Sequence, residues 1–122
     1  MSKKLDRMIL EMGSGVSLRG GNYTKAACRA VDDAIHHSSL SVMRELGMDP
    51  DADMTVEVTI GVQDPSAVDV DAVQAMLPHG KATVRVVKGG LNVPYPERGY
   101  ETVIASAAVA AFADLSRFKA SK

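Results

Sequence analysis

Lys25, Arg29, Asp32 and His36 recur at intervals of three and four residues, so on a helix they fall in one narrow stripe with Asp33 just beside it. Two cations, a carboxylate and an imidazole in line are suited to binding an anionic substrate and shuttling a proton, with His36 titrating near neutral pH. The other reading of the same residues is a solvated helix face. Its Arg29–Asp33 and Asp32–His36 pairs at i+4 would each be worth only a few tenths of a kcal/mol.

Two glycine-bounded stretches offer backbone donors. Gly13-Ser14-Gly15-Val16-Ser17-Leu18-Arg19-Gly20-Gly21-Asn22 lies between an expected strand and an expected helix, where phosphate-cradling loops occur. The detailed nucleotide motifs fail: Leu18 stands where a dinucleotide fingerprint needs its third glycine, and Gly21 and Asn22 stand where a P-loop needs Lys and Ser/Thr. A smaller anion is the remaining reading, with Arg19 and Lys25 flanking the helix start, and a plain tight turn is its alternative. Lys88-Gly89-Gly90 is the second stretch, read either as a substrate contact or as a bend. Glu11, Asp33 and His36 are the acid/base candidates, and Arg19, Lys25, Arg29, Lys88, Gly89 and Gly90 the substrate-binding ones.

Metal chemistry has little support. His36 and His37 point about 100° apart on a helix and His79 follows another element, so no metal and no cofactor is expected. Cys28, on a mostly alanine helix, reads as a packed small hydrophobe, although Lys25 and Arg29 nearby would lower its pKa.

These side chains need elements to hold them. Met8–Met12 reads as a buried strand closed by Gly13 and Gly15. Asn22 can cap a helix from Thr24 to His37 whose inner face is Ala27, Ala30, Val31 and Ala34. Ser38-Ser39-Leu40 ends or interrupts it, Ser41–Leu46 adds a turn, and the acidic run from Asp49 to Asp53 reads as an exposed loop. Residues 54–60 alternate, putting Val56, Val58 and Ile60 inward and Thr55, Glu57 and Thr59 outward. Asp69 caps a short helix carrying Val70, Val73, Met76 and Leu77, and Lys81–Val87 forms the next strand. From Glu101 to Phe112 two patterns compete: alanine propensity favours a helix, and alternation of Thr102, Ile104, Ser106, Ala108, Ala110 and Phe112 a strand.

Composition sets outer bounds. The chain is 46% hydrophobic and 24% charged with a formal net charge of −1, as expected of one globular domain over residues 1–122. A single cysteine excludes an internal disulfide and suits a reducing compartment, so the cytoplasm is the expected location. The N-terminal residues lack the unbroken apolar stretch of a secretory signal, and the run from Thr102 to Ala113 is too short to span a bilayer, so no membrane association is expected. With 4% aromatics and no tryptophan there is little surface for stacking bases, so no nucleic-acid partner is expected. Charge is nonetheless segregated: residues 1–29 carry six Lys/Arg against two Asp/Glu, residues 30–76 one against ten, and residues 77–122 seven against three. Such blocks either disperse on folding or promote self-association.

Glu11-Met12-Gly13-Ser14-Gly15, the segment from Thr24 to Ile35, Ser39-Leu40 and Lys88-Gly89-Gly90-Leu91 together resemble a small bacterial family first catalogued as conserved hypothetical from a Listeria genome. The most specific part is Thr-Lys-Ala-Ala-x-Arg-Ala followed later by Gly-Gly-Leu; the family usually has aspartate where Ser17 stands and commonly asparagine where Ser38 stands. The resemblance implies a strand over residues 101–112 and carries no settled activity. A looser architectural resemblance is to the repeating unit of the cyanuric acid hydrolase and barbiturase group, in which three units surround a central active site.

The expected fold is therefore α+β in the order β-α-β-α-β-β, a four-stranded sheet with both helices on one face. The outward Thr, Glu and Arg of residues 54–60 and 81–87 suggest an intersubunit cleft, hence a homo-oligomer, a trimer or a multiple of it. The expected function is an enzyme acting on a small anionic or nitrogen-heterocyclic metabolite, by hydrolysis or proton transfer, between subunits. The alternative is a non-catalytic metabolite-binding or accessory subunit.

Overall fold

The computed structural model describes residues 6–18, 21–36, 54–77 and 81–114. Its elements are β1 (Asp6–Ser17), α1 (Tyr23–His36), β2 (Met54–Val62), α2 (Val70–Gln74), β3 (Lys81–Lys88), β4 (Leu91–Tyr95) and β5 (Tyr100–Ala113), with 3-10 turns at Pro65–Ala67 and Pro96–Arg98. The α+β class and the two helices on one face are as the sequence predicts, with a fifth strand added. That strand, β4, is a short hairpin partner of β5 and contains Pro94. Proline is tolerated here because β4 pairs only with β5 and needs few ladder donors. Arg19, His37, His79 and the expected acidic loop of residues 49–53 lie outside the described residues.

The sheet runs β1-β5-β2-β3, with β5 antiparallel to β1 and β2, and β3 parallel to β2. One edge of β5 holds β1 along residues 103–113; the other holds β2 along 106–113 and then β4 along 100–104. A central position explains why alanine propensity lost over residues 101–112. Both edges of β5 find backbone partners, and its alternating Val103, Ala105, Ala107 and Val109 are buried.

The core lies between the sheet and α1. Ala26, Ala27, Ala30, Val31 and Ala34 face Val56, Val58, Ile60, Val62 and the buried residues of β5. Asn22 caps α1 as expected, its Oδ1 accepting the Lys25 N–H at 3.0 Å, and Asp69 caps α2 through the N–H groups of Asp71 and Ala72. Short side chains let α1 lie very close to the sheet.

That closeness corrects the loop reading of Gly13 and Gly15. Both are inside β1, which runs on to Ser17, and a Cβ at Gly13 would come within 2.4 Å of the Ala34 nitrogen, one at Gly15 within 2.3 Å of the Ala26 oxygen and Ala30 nitrogen. They are the seat of α1, not an anion cradle. The strand ends instead at Ser17, whose buried Oγ accepts the Asn22 N–H at 3.3 Å and so ties the exit of β1 to the start of α1.

Candidate functional site

Alternation decides what the other face of the sheet presents. Residues paired across strands share a face, so Met12 with Ala108, Ser14 with Ser106, Thr59 with Ala108 and Gly61 with Ser106 form a grid on the side away from the helices. This grid is the floor of a cleft of about 580 Å³, bounded further by Val87, Lys88, Gly89 and Gly90 on one side and Asp33 on the other. Gly13 and Ala107 complete its lining.

The glycine wall is shaped by the chain crossing itself. Between β3 and β4 the backbone passes against the end of β2, and a Cβ at Gly90 would lie 2.3 Å from the Ile104 oxygen and 2.8 Å from that of Gly61. Gly90 also has φ +64°, so two independent constraints exclude a side chain there. Gln63 fixes the bend by donating from Nε2 to the carbonyls of Gly89 and Gly90 at 3.0 and 3.2 Å. The bend and ligand-wall readings of this pair are therefore compatible: the same glycines that permit the crossing line the cleft.

At the opposite margin, α1 reaches the outer strand. The Asp33 carboxylate accepts the Ser14 N–H at 3.0 Å, and Arg29 Nη1 donates to the Val16 carbonyl. On the far edge, Gln74 Nε2 donates to the Ala82 carbonyl of β3 at 2.8 Å. Helix side chains thus occupy backbone groups on both outer strands, one of the ways a sheet discourages an added strand.

The polar stripe of α1 is accordingly divided. Asp33 lines the cleft, whereas Arg29 is spent on the β1 backbone and Lys25 is exposed outside the lining. His36 is exposed and pairs with Asp32, its Nδ1 lying 3.7 Å from Oδ1. Glu11 shares the helix-side face with Gly13, opposite Val109, and is not in the lining. Of the nine expected site residues, Asp33, Lys88, Gly89 and Gly90 meet at one place, and Arg19 is outside the described residues.

Sequence reasoning placed Thr59 on a cleft-facing side of its strand but missed Met12, Ser14, Gly61, Val87, Ser106 and Ala108 as lining residues. A signal existed in the small Ser106-x-Ala108 pair of the β5 alternation and in Gly61 after an alternating run, but only strand register brings them together. A separate polar cluster also went unread: Asn92 Nδ2 donates to the Tyr23 hydroxyl at 2.7 Å and to Glu101 at 3.1 Å, fastening β4 to α1 and β5.

Cys28 departs from the expectation drawn from its basic neighbours. Burial pushes its thiol pKa up, and the negative charge of Asp69 adds to the rise. It packs against the core as a small hydrophobe. Among the described residues no group of three or more His, Cys, Asp or Glu side chains is placed to hold a metal ion, and no helix is long and apolar enough to cross a membrane.

The geometry defines a class: a helix layer covering one face of a mixed sheet, with a glycine-walled cleft on the other. Residues 7–111 match the conserved hypothetical protein family Lin0512, and the chain belongs to that family. It is also similar to a solved structure, that of an FtsZ-like protein of unknown function from Nostoc punctiforme, with 35% identity and a TM-score of 0.78. That similarity covers 93% of this chain and 99% of the other. No curated protein matches the chain. The resemblance to the cyanuric acid hydrolase and barbiturase group finds no support in these comparisons.

Proposed function

We propose that the chain binds a small anionic or nitrogen-heterocyclic metabolite in the cleft on its uncovered sheet face. The observation that carries this reading is the lining itself: Ser14, Thr59 and Ser106, with Asp33 and Lys88 at the margins, surround a floor of glycine and alanine. A planar ring can lie on such a floor while its polar atoms meet a few placed donors, the usual composition of a small-molecule site. The family and the Nostoc neighbour contribute the fold; their descriptions carry no activity to this chain.

Catalysis by hydrolysis or proton transfer is the second reading, favoured by Asp33 and Lys88 lining the same cleft. It narrows the acid/base candidates to these two, since His36 and Glu11 lie outside the lining. The proposal extends to a cytoplasmic homo-oligomer, in keeping with a single cysteine and an apolar uncovered face.

A thermal-shift screen with cyclic amides and small carboxylates, followed by calorimetric titration of hits, tests the binding reading. Lys88→Ala should weaken an anionic hit by ~10-fold or more, as expected for losing a charged hydrogen bond. Hits bound equally by wild type and Lys88→Ala would remove Lys88 from the site, and an absence of hits across both classes would count against the ligand class. Turnover of a hit that Asp33→Asn abolishes without loss of binding would establish the catalytic reading.

A further inference from the structure

The uncovered face carries more apolar surface than the cleft accounts for. Six of the eight large hydrophobic side chains that are exposed among the described residues lie on it: Leu10, Met12, Val87, Leu91, Val93 and Tyr95. Met12 is 72% exposed, Leu91 58%, Val93 45% and Leu10 43%. A soluble monomer seldom leaves so many large apolar side chains on one face, because their hydration opposes it.

The relief of the face is what identifies its occupant. Along β5 the floor is low, made by Ser106, Ala108 and Ala110, whereas Met12 stands above it on β1 and Leu91 stands beyond its end, beside Ile104. One surface therefore holds both the projections and the hollow that would receive them. The β2 and β3 margin adds exposed charges of both signs on the same face, Glu57 and Arg85, and the formal net charge of −1 leaves little repulsion between copies.

Size agrees as well. Strands of 12, 14, 9, 8 and 5 residues, with a rise of about 3.3 Å per residue and a spacing of about 4.8 Å, give a face of roughly 760 Å², close to the ~800 Å² per partner of a standard interface. An added strand is a poorer fit, because α1 and α2 side chains already occupy backbone groups of both outer strands.

We infer that a second copy of this chain seats on the uncovered face, its Met12 and Leu91 entering over the Ser106–Ala108 floor of the first. This rests on the homo-oligomer part of the reading above and supplies its surface. The expected polar interface, through the Thr, Glu and Arg of β2 and β3, is replaced by an apolar centre on β1, β4 and β5 with those polar residues at its rim. A copy so placed enters part of the cleft.

Sedimentation velocity of the full chain across micromolar concentrations tests it, alongside Met12→Glu/Leu91→Glu and the control Val70→Glu on α2. Wild type and Val70→Glu should sediment as a dimer, and the double variant as a folded monomer with association weakened ~30-fold or more. A wild type that stays monomeric would overturn both the oligomer reading and this surface. An oligomer that the double variant leaves intact would overturn the surface alone. Should the double variant fail to fold by circular dichroism, Met12→Ser in the same measurement decides, with unchanged association counting against the inference.

Discussion

On β1 the two faces of this sheet are built by opposite rules of size. Toward the helices, β1 offers Gly13 and Gly15 and β5 offers alanine and valine, all drawn in under α1. Away from them, β1 offers Leu10 and Met12, which nothing in the described chain covers. Close contact within one chain demands small residues because the backbone of α1 lies almost on the backbone of β1. A face left for something else can keep large side chains, which then become the means of recognition. On β2 and β3 the uncovered side turns polar, with Glu57, Thr59, Thr83 and Arg85, so the apolar part has a boundary.

This contrast can be broken at its most crowded point. Gly15→Val should destabilise the fold by more than about 3 kcal/mol, or prevent folding, since the added carbons meet helix backbone and not a movable side chain. Near wild-type thermal unfolding would mean that α1 does not rest on β1 as described.

Neighbouring residues of β2 sharpen it. Ile60→Ala, on the covered face and fully buried, should cost about 2–5 kcal/mol, whereas Thr59→Ala one residue earlier on the cleft side should change stability by less than about 0.5 kcal/mol. Equal losses in denaturant unfolding would contradict the assigned faces.

A smaller effect is expected at the edge between the two faces. Arg29→Ala removes the donor to the Val16 carbonyl from an exposed position and should cost below about 1 kcal/mol, with ligand affinity unchanged because Arg29 is outside the lining. A large loss of ligand binding in Arg29→Ala or Arg29→Lys would restore the stripe of α1 to the binding site.

The smallest effect concerns Cys28. Its raised pKa means that less thiolate is present at any given pH than for a free cysteine, so alkylation should be slower than that of a model thiol and should accelerate only at higher pH. Rapid modification at neutral pH would show the thiol to be neither buried nor disfavoured as an anion.

Much of this architecture could be read from periodicity and capping. The 3.6-residue spacing of Ala27, Ala30, Val31 and Ala34, the Asn22 and Asp69 caps, and the period-two alternation of β2 and β3 each depend on neighbours a few residues away, and these elements form where the pattern puts them. The nature of residues 101–112 was not legible from local preference, because alanine favours a helix and only two long strand partners on either edge make an extended chain better. The same holds for Gly13 and Gly15: a glycine pair before a helix looks like a loop until the helix is seen folded back over it. The cleft was half legible. Lys88, Gly89, Gly90 and Asp33 carried signals of charge or backbone freedom, but Ser14, Thr59, Gly61 and Ser106 are ordinary residues whose meeting depends on register between strands far apart in sequence. Sequence by itself determined which side of β2 and of β3 is apolar. Tertiary structure alone decided which of those sides the chain covers with its own helices and which it leaves open, because that choice rests on contacts between segments that no local pattern encodes.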